Sequence, residues 1–296
     1  PFPAYVMAFC QYLAGGSQFG AYLFYIGGVC FLGACVWPFI GRGFNKPYLG
    51  AFIGLLWFFM PNNLCAIFIE GNLARSLSMI FLPVFIYSVY KYLYNHKLRY
   101  IPLMVFTFLL MELCHLGYAG MVAIAVIIYG IVYMIQKGRK KAVLDVVISM
   151  IFGFMLLGIW LVASLRGGIT SLDNSENMAN FFQNLWITIN PFERLTRGFE
   201  YFYFGFAALV VIVFGILFGY KKSRTGFVTG FIILLMTTKS AYAVLKHLPG
   251  SQYLWMLRFI SIALCMILMS FLMWDRLKKP LVLMLCVLLA VDTIPS

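Results

Sequence analysis

Long apolar runs, one after another and almost free of charge, decide what this chain can become. A stretch of about 20 apolar residues matches the roughly 30 Å hydrocarbon core of a bilayer. Inside that core every backbone N–H and C=O needs a partner within the protein, so only helices and closed barrels span it. The runs are continuous rather than alternating, which excludes a barrel. With 63% of its residues hydrophobic and 10% charged, the chain also lacks the roughly 25% charge typical of a soluble domain. It reads as an all-α polytopic membrane helix bundle.

Ten candidate spans fall at 20–40, 49–60, 73–90, 100–114, 119–136, 142–165, 203–220, 226–238, 253–273 and 280–294. Several are shorter than a straight crossing needs, so tilted or broken spans are expected. Every second connection collects basic residues: Arg42 and Lys46; Lys91, Lys97 and Arg99; Lys137, Arg139, Lys140 and Lys141; Lys221, Lys222 and Arg224; Arg276, Lys278 and Lys279. That face holds 15 of the 22, and the other holds Arg75, Arg166, Arg194, Arg197, Lys239, Lys246 and Arg258. The rich face is expected to be cytoplasmic. The net charge of +13 is thus a topology signal with attraction to anionic lipid as a by-product, and nucleic acid is not an expected partner.

The whole of 1–296 reads as a single transmembrane domain, and the chain is expected to be cut at both ends, with no signal peptide legible. The longest connection, 166–202, lies on the outer face and carries Asp173, Glu176, Glu193 and Glu200. Within it Met178, Phe181, Phe182, Leu185, Trp186 and Ile189 share one helical face, which predicts an amphipathic helix on the membrane surface or against neighbouring spans. A shorter interfacial stretch is expected at 3–13. The seven cysteines form no C-x-x-C pair or Cys/His cluster, so they read as small core hydrophobes. No cofactor is identifiable, no metal site is assigned, and a divalent metal stays compatible with the sequence.

Charges inside spans are costly and mark candidate sites. Glu112 and His115 stand three apart on one helical face; they read either as a pair lining an outward cavity or as a hydrogen-bonded pair that fixes packing. Gly117-Tyr118-Ala119-Gly120 follows as an expected turn. In the polar cluster that runs from Pro61-Asn62-Asn63 to Glu70-Gly71-Asn72-Leu73-Ala74-Arg75, a bend at Gly71-Asn72 before a helix start offers free N–H groups to an anion, or Glu70 and Arg75 form an ordinary loop ion pair. Arg166 and Arg258 lie at outer span ends, where each clamps a lipid phosphate or snorkels to the headgroups. Asp145 and Asp292 carry no legible role. The pairs Gly50/Gly54, Gly215/Gly219 and Gly226/Gly230 are weak helix-packing signals. Phosphate-loop, dinucleotide and zinc-protease motifs are absent from the sequence.

The run from Glu70 to Arg75 continuing to Phe81-Leu82-Pro83, then Leu113-Cys114-His115, Arg258-Phe259 and the terminal Val291-Asp292-Thr293-Ile294-Pro295-Ser296, resembles bacterial multi-pass membrane proteins. They are grouped as "6-pyruvoyl-tetrahydropterin synthase-related". That group is similar in layout to the GT-C glycosyltransferases, and Pro1-Phe2-Pro3-Ala4-Tyr5 looks like the segment after their first outer loop. The resemblance implies a GT-C-like fold in the bacterial cytoplasmic membrane. It also implies an enzyme, or a degenerate relative, taking sugar from a polyprenyl-phosphate donor on the outer face, with membrane lipid as its other partner. It places the catalytic acid upstream of residue 1, since the first acidic residue here is Glu70. Glu70, Asn72, Arg75, Glu112, His115, Arg166 and Arg258 are then the substrate-binding candidates. A transporter or flippase relaying protons through Glu112 and His115, or a non-catalytic membrane protein, is the alternative.

Overall fold

The computed structural model describes residues 2–166, 205–247, 258–275 and 278–293, and among these every regular element is helical. Helix α1 (Phe2–Leu13) ends in Gly15 and Gly16, both at positive φ. The Ser17 hydroxyl then accepts the Gly20 N–H at 3.1 Å and starts α2 (Gln18–Gly43), as serine does at a helix N-terminus. Pro47 opens α3 (Pro47–Phe59) where a missing N–H costs nothing. Pro61 interrupts the same run, and the chain bends by 56° into α4 (Pro61–Leu64) and a π turn, Cys65–Ile69. Helices α5 (Leu73–Asn95), α6 (Tyr100–Cys114), α7 (Leu116–Lys137) and α8 (Lys140–Arg166) follow with short connections. After them come α9 (Phe206–Phe218), α10 (Lys221–Met236), α11 (Lys239–Leu245), α12 (Phe259–Leu272) and α13 (Lys279–Val291).

Among the described residues four helices, α2, α5, α7 and α8, are long and apolar enough to cross a membrane, and α3 with the segment Pro61–Ile69 passes that test only as one bent pair, a broken span or a re-entrant loop. The expected spans at 100–114, 203–220, 253–273 and 280–294 correspond to shorter apolar helices, α6, α9, α12 and α13. The short expected run at 49–60 is one arm of the broken unit. The connection at 167–204, with its amphipathic stretch, and residues 248–257 lie outside the described residues.

Position in the bundle follows from which faces are apolar. All fourteen residues of α12 are buried, as befits a helix that is apolar all round; it packs against α10, α5, α7, α3 and α9. In contrast, α2 and α8 turn Phe31, Phe39, Ile151 and Met155 outward, a surface that suits lipid rather than water. The small-residue pairs mark where helices touch. A Cβ on Gly226 would overlap Ser270 Oγ, one on Gly230 would come within 2.6 Å of Ile267, and one on Gly50 within 2.5 Å of the Trp37 carbonyl. Such close backbone approach is a main source of cohesion between helices in lipid.

The basic connections gather at one end of the bundle. There Lys46 donates to the Leu272 and Trp274 carbonyls (2.8 and 3.0 Å), Lys91 donates to the Gly43 carbonyl, and Tyr94 donates to the Lys222 carbonyl at 3.0 Å. The opposite end of α5 and the junction of α6 with α7 carry the candidate site.

Candidate functional site

The site is built on two breaks in the helical ladder. The first follows the π turn: Glu70 ends it, Gly71 turns the chain at φ +57°, and the side-chain carbonyl oxygen of Asn72 accepts the Arg75 N–H at 3.0 Å. Asn72 is therefore the cap of α5, and its oxygen takes up the Arg75 N–H, one of the helix-start donors that the sequence offered to an anion. One turn on, Arg75 is fully buried. Its Nη1 donates to Glu70 Oε1 at 3.0 Å and its Nη2 to Asn62 Oδ1 at 2.7 Å, while Nε has no partner among the described residues. Asn62 reaches this position because Pro61 folds α4 back beneath the α5 start.

The second break is a single residue wide. His115 is extended (φ −154°, ψ 94°) between α6 and α7, and its Nδ1 accepts the Tyr118 N–H at 3.2 Å. The turn expected at Gly117–Gly120 therefore does not form; those residues lie inside α7, because the imidazole supplies the cap two residues earlier. His115 Nε2 faces Arg258 Nη1 at 2.9 Å. Arg258 heads α12, and its carbonyl accepts the Ser261 hydroxyl at 2.9 Å, with Tyr118 OH 2.8 Å from the same hydroxyl oxygen. Arg75 and Glu70 are near enough for their charges to act on both His115 and Arg258. Burial first, then the Arg258 and Arg75 charges, hold the His115 imidazole down to about 4, so it is neutral at neutral pH.

Neutrality exposes a shortage of acceptors. A neutral imidazole has one lone-pair nitrogen, and a guanidinium only donates. The Tyr118 N–H and Arg258 Nη1 address the two ring nitrogens at once, so they compete for one acceptor. Arg75 Nε adds a further buried donor without a partner among the described residues, and the nearby carboxylate is that of Glu70. Among the described residues two guanidiniums, one imidazole and one carboxylate meet here, a set of donors able to hold an anion with several oxygens.

Glu112 does not belong to this cluster. It is 3% exposed, and its Oε2 has no partner among the described residues. It lines an apolar cavity between α6, α7 and α8 that contains no other charged side chain among the described residues. Neither the hydrogen-bonded Glu112–His115 pair nor a shared cavity forms there. Three residues is less than a full turn, and the helix ends between them, so His115 is turned toward α12 while Glu112 stays on the α8 side of α6. Arg166 is the last residue of α8, and its side chain lies outside the described residues. The structure thus brings Glu70, Arg75, His115 and Arg258 together around the Asn72 cap.

Asn62 was part of the polar cluster read from the sequence, whereas Tyr118 and Ser261 were not singled out as site residues. Asn62 and Asn63 are amides within an apolar run, where an unsatisfied polar group is expensive, and that was the available signal; Tyr118 and Ser261 had none. Among the described residues no group of three His, Cys, Asp or Glu side chains converges.

A helical chain with an apolar exterior and a charged cluster buried at one end is a polytopic membrane protein. It belongs to the 6-pyruvoyl-tetrahydropterin synthase related domain family of membrane proteins, whose profile matches residues 1–296. No curated protein and no solved structure matches the chain, so the likeness to GT-C glycosyltransferases rests on the sequence motifs.

Proposed function

We propose that the protein binds a phosphate-bearing lipid at the Arg75–His115–Arg258 cluster and works as a GT-C-like transferase, or a degenerate relative, on a polyprenyl-phosphate-linked sugar. The observation that carries this reading is Arg75: a fully buried guanidinium whose Nε has no partner among the described residues, beside a second guanidinium that faces the His115 imidazole. Such a group of donors lowers its free energy when phosphate oxygens enter. It also suits a leaving phosphate, whose charge grows as the sugar departs.

The positive-inside pattern supports placing this end of the bundle on the extracytoplasmic face of a bacterial inner membrane. Glu70 is committed to Arg75 and Glu112 lies in a different cavity. Neither is therefore assigned as the carboxylate that deprotonates the acceptor.

The test compares polyprenyl phosphate with the matching polyprenol, using the protein in nanodiscs and native mass spectrometry. The phosphate should bind at least tenfold more tightly, and Arg258→Gln should remove most of that preference. Equal retention of the two lipids would overturn the phosphate site. For the transferase step, full-length protein should release polyprenyl phosphate from the lipid-linked sugar; phosphate binding without release in any acceptor mixture would leave a binding protein and sink the enzyme.

A further inference from the structure

The most unusual group outside the phosphate cluster is Glu112. Its side chain is 3% exposed and its Oε2 has no hydrogen-bond partner among the described residues. A carboxyl group abandoned in apolar surroundings is costly in any protein and more so within a bilayer. The cavity it lines has a volume of about 410 Å³, within the range of ligand-sized pockets. Its wall is otherwise apolar, with Phe108 from α6, Leu116 and Ile127 from α7, and Met150 and Phe154 from α8. Ile127 and Phe154 are also exposed on the outer surface of the bundle, so the cavity is open on its lipid side.

Length and shape point the same way. From Leu116 to Ile127 the α7 wall rises by about 16 Å at 1.5 Å per residue, about half the thickness of a roughly 30 Å hydrocarbon core. The cavity therefore follows one leaflet from its outer part toward the midplane, with Glu112 near the upper end. Gly120 widens it: a Cβ at that position would meet nothing within 4 Å. A single apolar chain fits the lower part, and a donor facing a lone carboxyl fits the top.

We propose that the Glu112 cavity is a lateral binding site for a single-chain amphiphile with an amine head, its ammonium against the Glu112 carboxylate and its hydrocarbon chain along α7 and α8. Charge complementarity selects the amine. Among the described residues the lining holds no basic group to receive an anionic head, and an alcohol head offers the Glu112 carboxyl group no opposite charge. The site is independent of the phosphate cluster, so variants at Arg258 should leave it intact.

Photoaffinity labelling decides it. The protein in nanodiscs is exposed to dodecylamine, dodecanol and dodecanoate, each carrying a diazirine in mid-chain, and the labelled peptides are mapped. The amine should label 116–127 and 147–154 at least tenfold more than the alcohol or the acid. Glu112→Gln should abolish that preference, and Gly120→Leu, which keeps the carboxylate but fills the space, should cut labelling by all three. Equal labelling by amine and alcohol in the wild-type protein overturns the proposal, as does unchanged amine labelling in Gly120→Leu. Should Glu112→Gln fail to fold, the wild-type series and the glycine variant still separate the two outcomes.

Discussion

Arg258 Nη1 lies 2.9 Å from His115 Nε2, while the other ring nitrogen of His115 accepts the first turn of α7. One neutral imidazole thus joins the start of α12 to the start of α7, and it has a single lone pair to offer two donors. A helix break that would otherwise be mere punctuation becomes the meeting point of three helices, α6, α7 and α12.

The two tasks of His115 are separable. In His115→Asn the side-chain amide oxygen still caps α7, whereas His115→Ala removes the cap at a cost of about 1 kcal/mol. Both lose the ring nitrogen facing Arg258. Thermal unfolding in detergent should therefore rank wild type and Asn above Ala, while retention of polyprenyl phosphate falls alike in both variants. A phosphate-lipid affinity that tracked stability instead would make His115 purely a structural residue.

Acid should act through the same residue. Its folded value of about 4 lies below the usual histidine range near 6.5. Between those values the unfolded chain binds the proton and the folded chain does not, so stability rises with pH across that window. On acidification from pH 6.5 to 4 the wild type should lose this increment, and His115→Asn should lose less. Melting temperatures of the two proteins over that range give the comparison; parallel curves would count against a buried neutral imidazole.

Arg75 and Glu70 should respond unequally although they form one ion pair. Arg75 is fully buried, whereas the Glu70 side chain keeps 25% of its exposure. Arg75→Met removes the buried charge while filling its space and leaves a Glu70 carboxylate that water still reaches, so the lost ion pair should cost about 1 kcal/mol or less. Glu70→Gln keeps an acceptor for Nη1 but leaves the fully buried Arg75 charge without its counter-ion, in the regime where breaking a buried pair costs about 3–5 kcal/mol. Comparing the two melts in the same detergent tests this asymmetry.

The fold class and the membrane setting were legible because apolar runs and basic connections are local features. The shortness of several runs likewise announced tilted or broken spans, and Gly71-Asn72 a bend. Glu112 and His115 were misread as partners because spacing along an ideal helix presumes that the helix continues, and it ends at Cys114. Asn62 with Arg75, and Arg258 with His115, are 13 and 143 residues apart; only the fold brings such groups together. The small-residue pairs were weak as signals and yet mark real contacts, since a glycine's neighbour across a helix interface is invisible in its own sequence.

Asp292 is a residue whose role only the fold supplies. Its two carboxylate oxygens accept the Ala207 and Ala208 N–H groups at 3.0 and 2.7 Å, so the end of α13 caps the start of α9. A carboxylate there also meets the positive end of the helix dipole. Asp292→Ala should cost about 1–2 kcal/mol. Gly205→Ala should be no milder, because its φ is +129° and a Cβ would overlap the Asp292 carboxylate. The double variant should cost less than the sum of the two, since both remove the same contact. Additive losses would show that the two residues act separately.

The orientation of the bundle sets which compartment the phosphate cluster faces, and two exposed positions report it. Lys140 sits at the start of α8 beside the basic end, and Gln18 at the start of α2 at the other end. Neither side chain is buried, and neither residue has positive φ, so cysteine is tolerated at both. In a chain whose seven native cysteines are replaced by alanine or serine, a membrane-impermeant maleimide added to intact cells should label Gln18→Cys. Lys140→Cys should be reached only after the membrane is opened. The basis is the tendency of lysine and arginine to stay in cytoplasmic connections, carried here by the 15 basic residues on the Lys140 face. Labelling of Lys140→Cys alone in intact cells would invert the protein and turn the Arg75–His115–Arg258 cluster toward the cytoplasm, where a donor presented on the outer face could not reach it. Between the two positions lie α2, the broken unit, α5, α6 and α7, an odd number of crossings when the short α6 crosses with the rest, as the alternation of basic connections expects. Labelling of both from one side would demand an even number, and would break the alternation of spans itself.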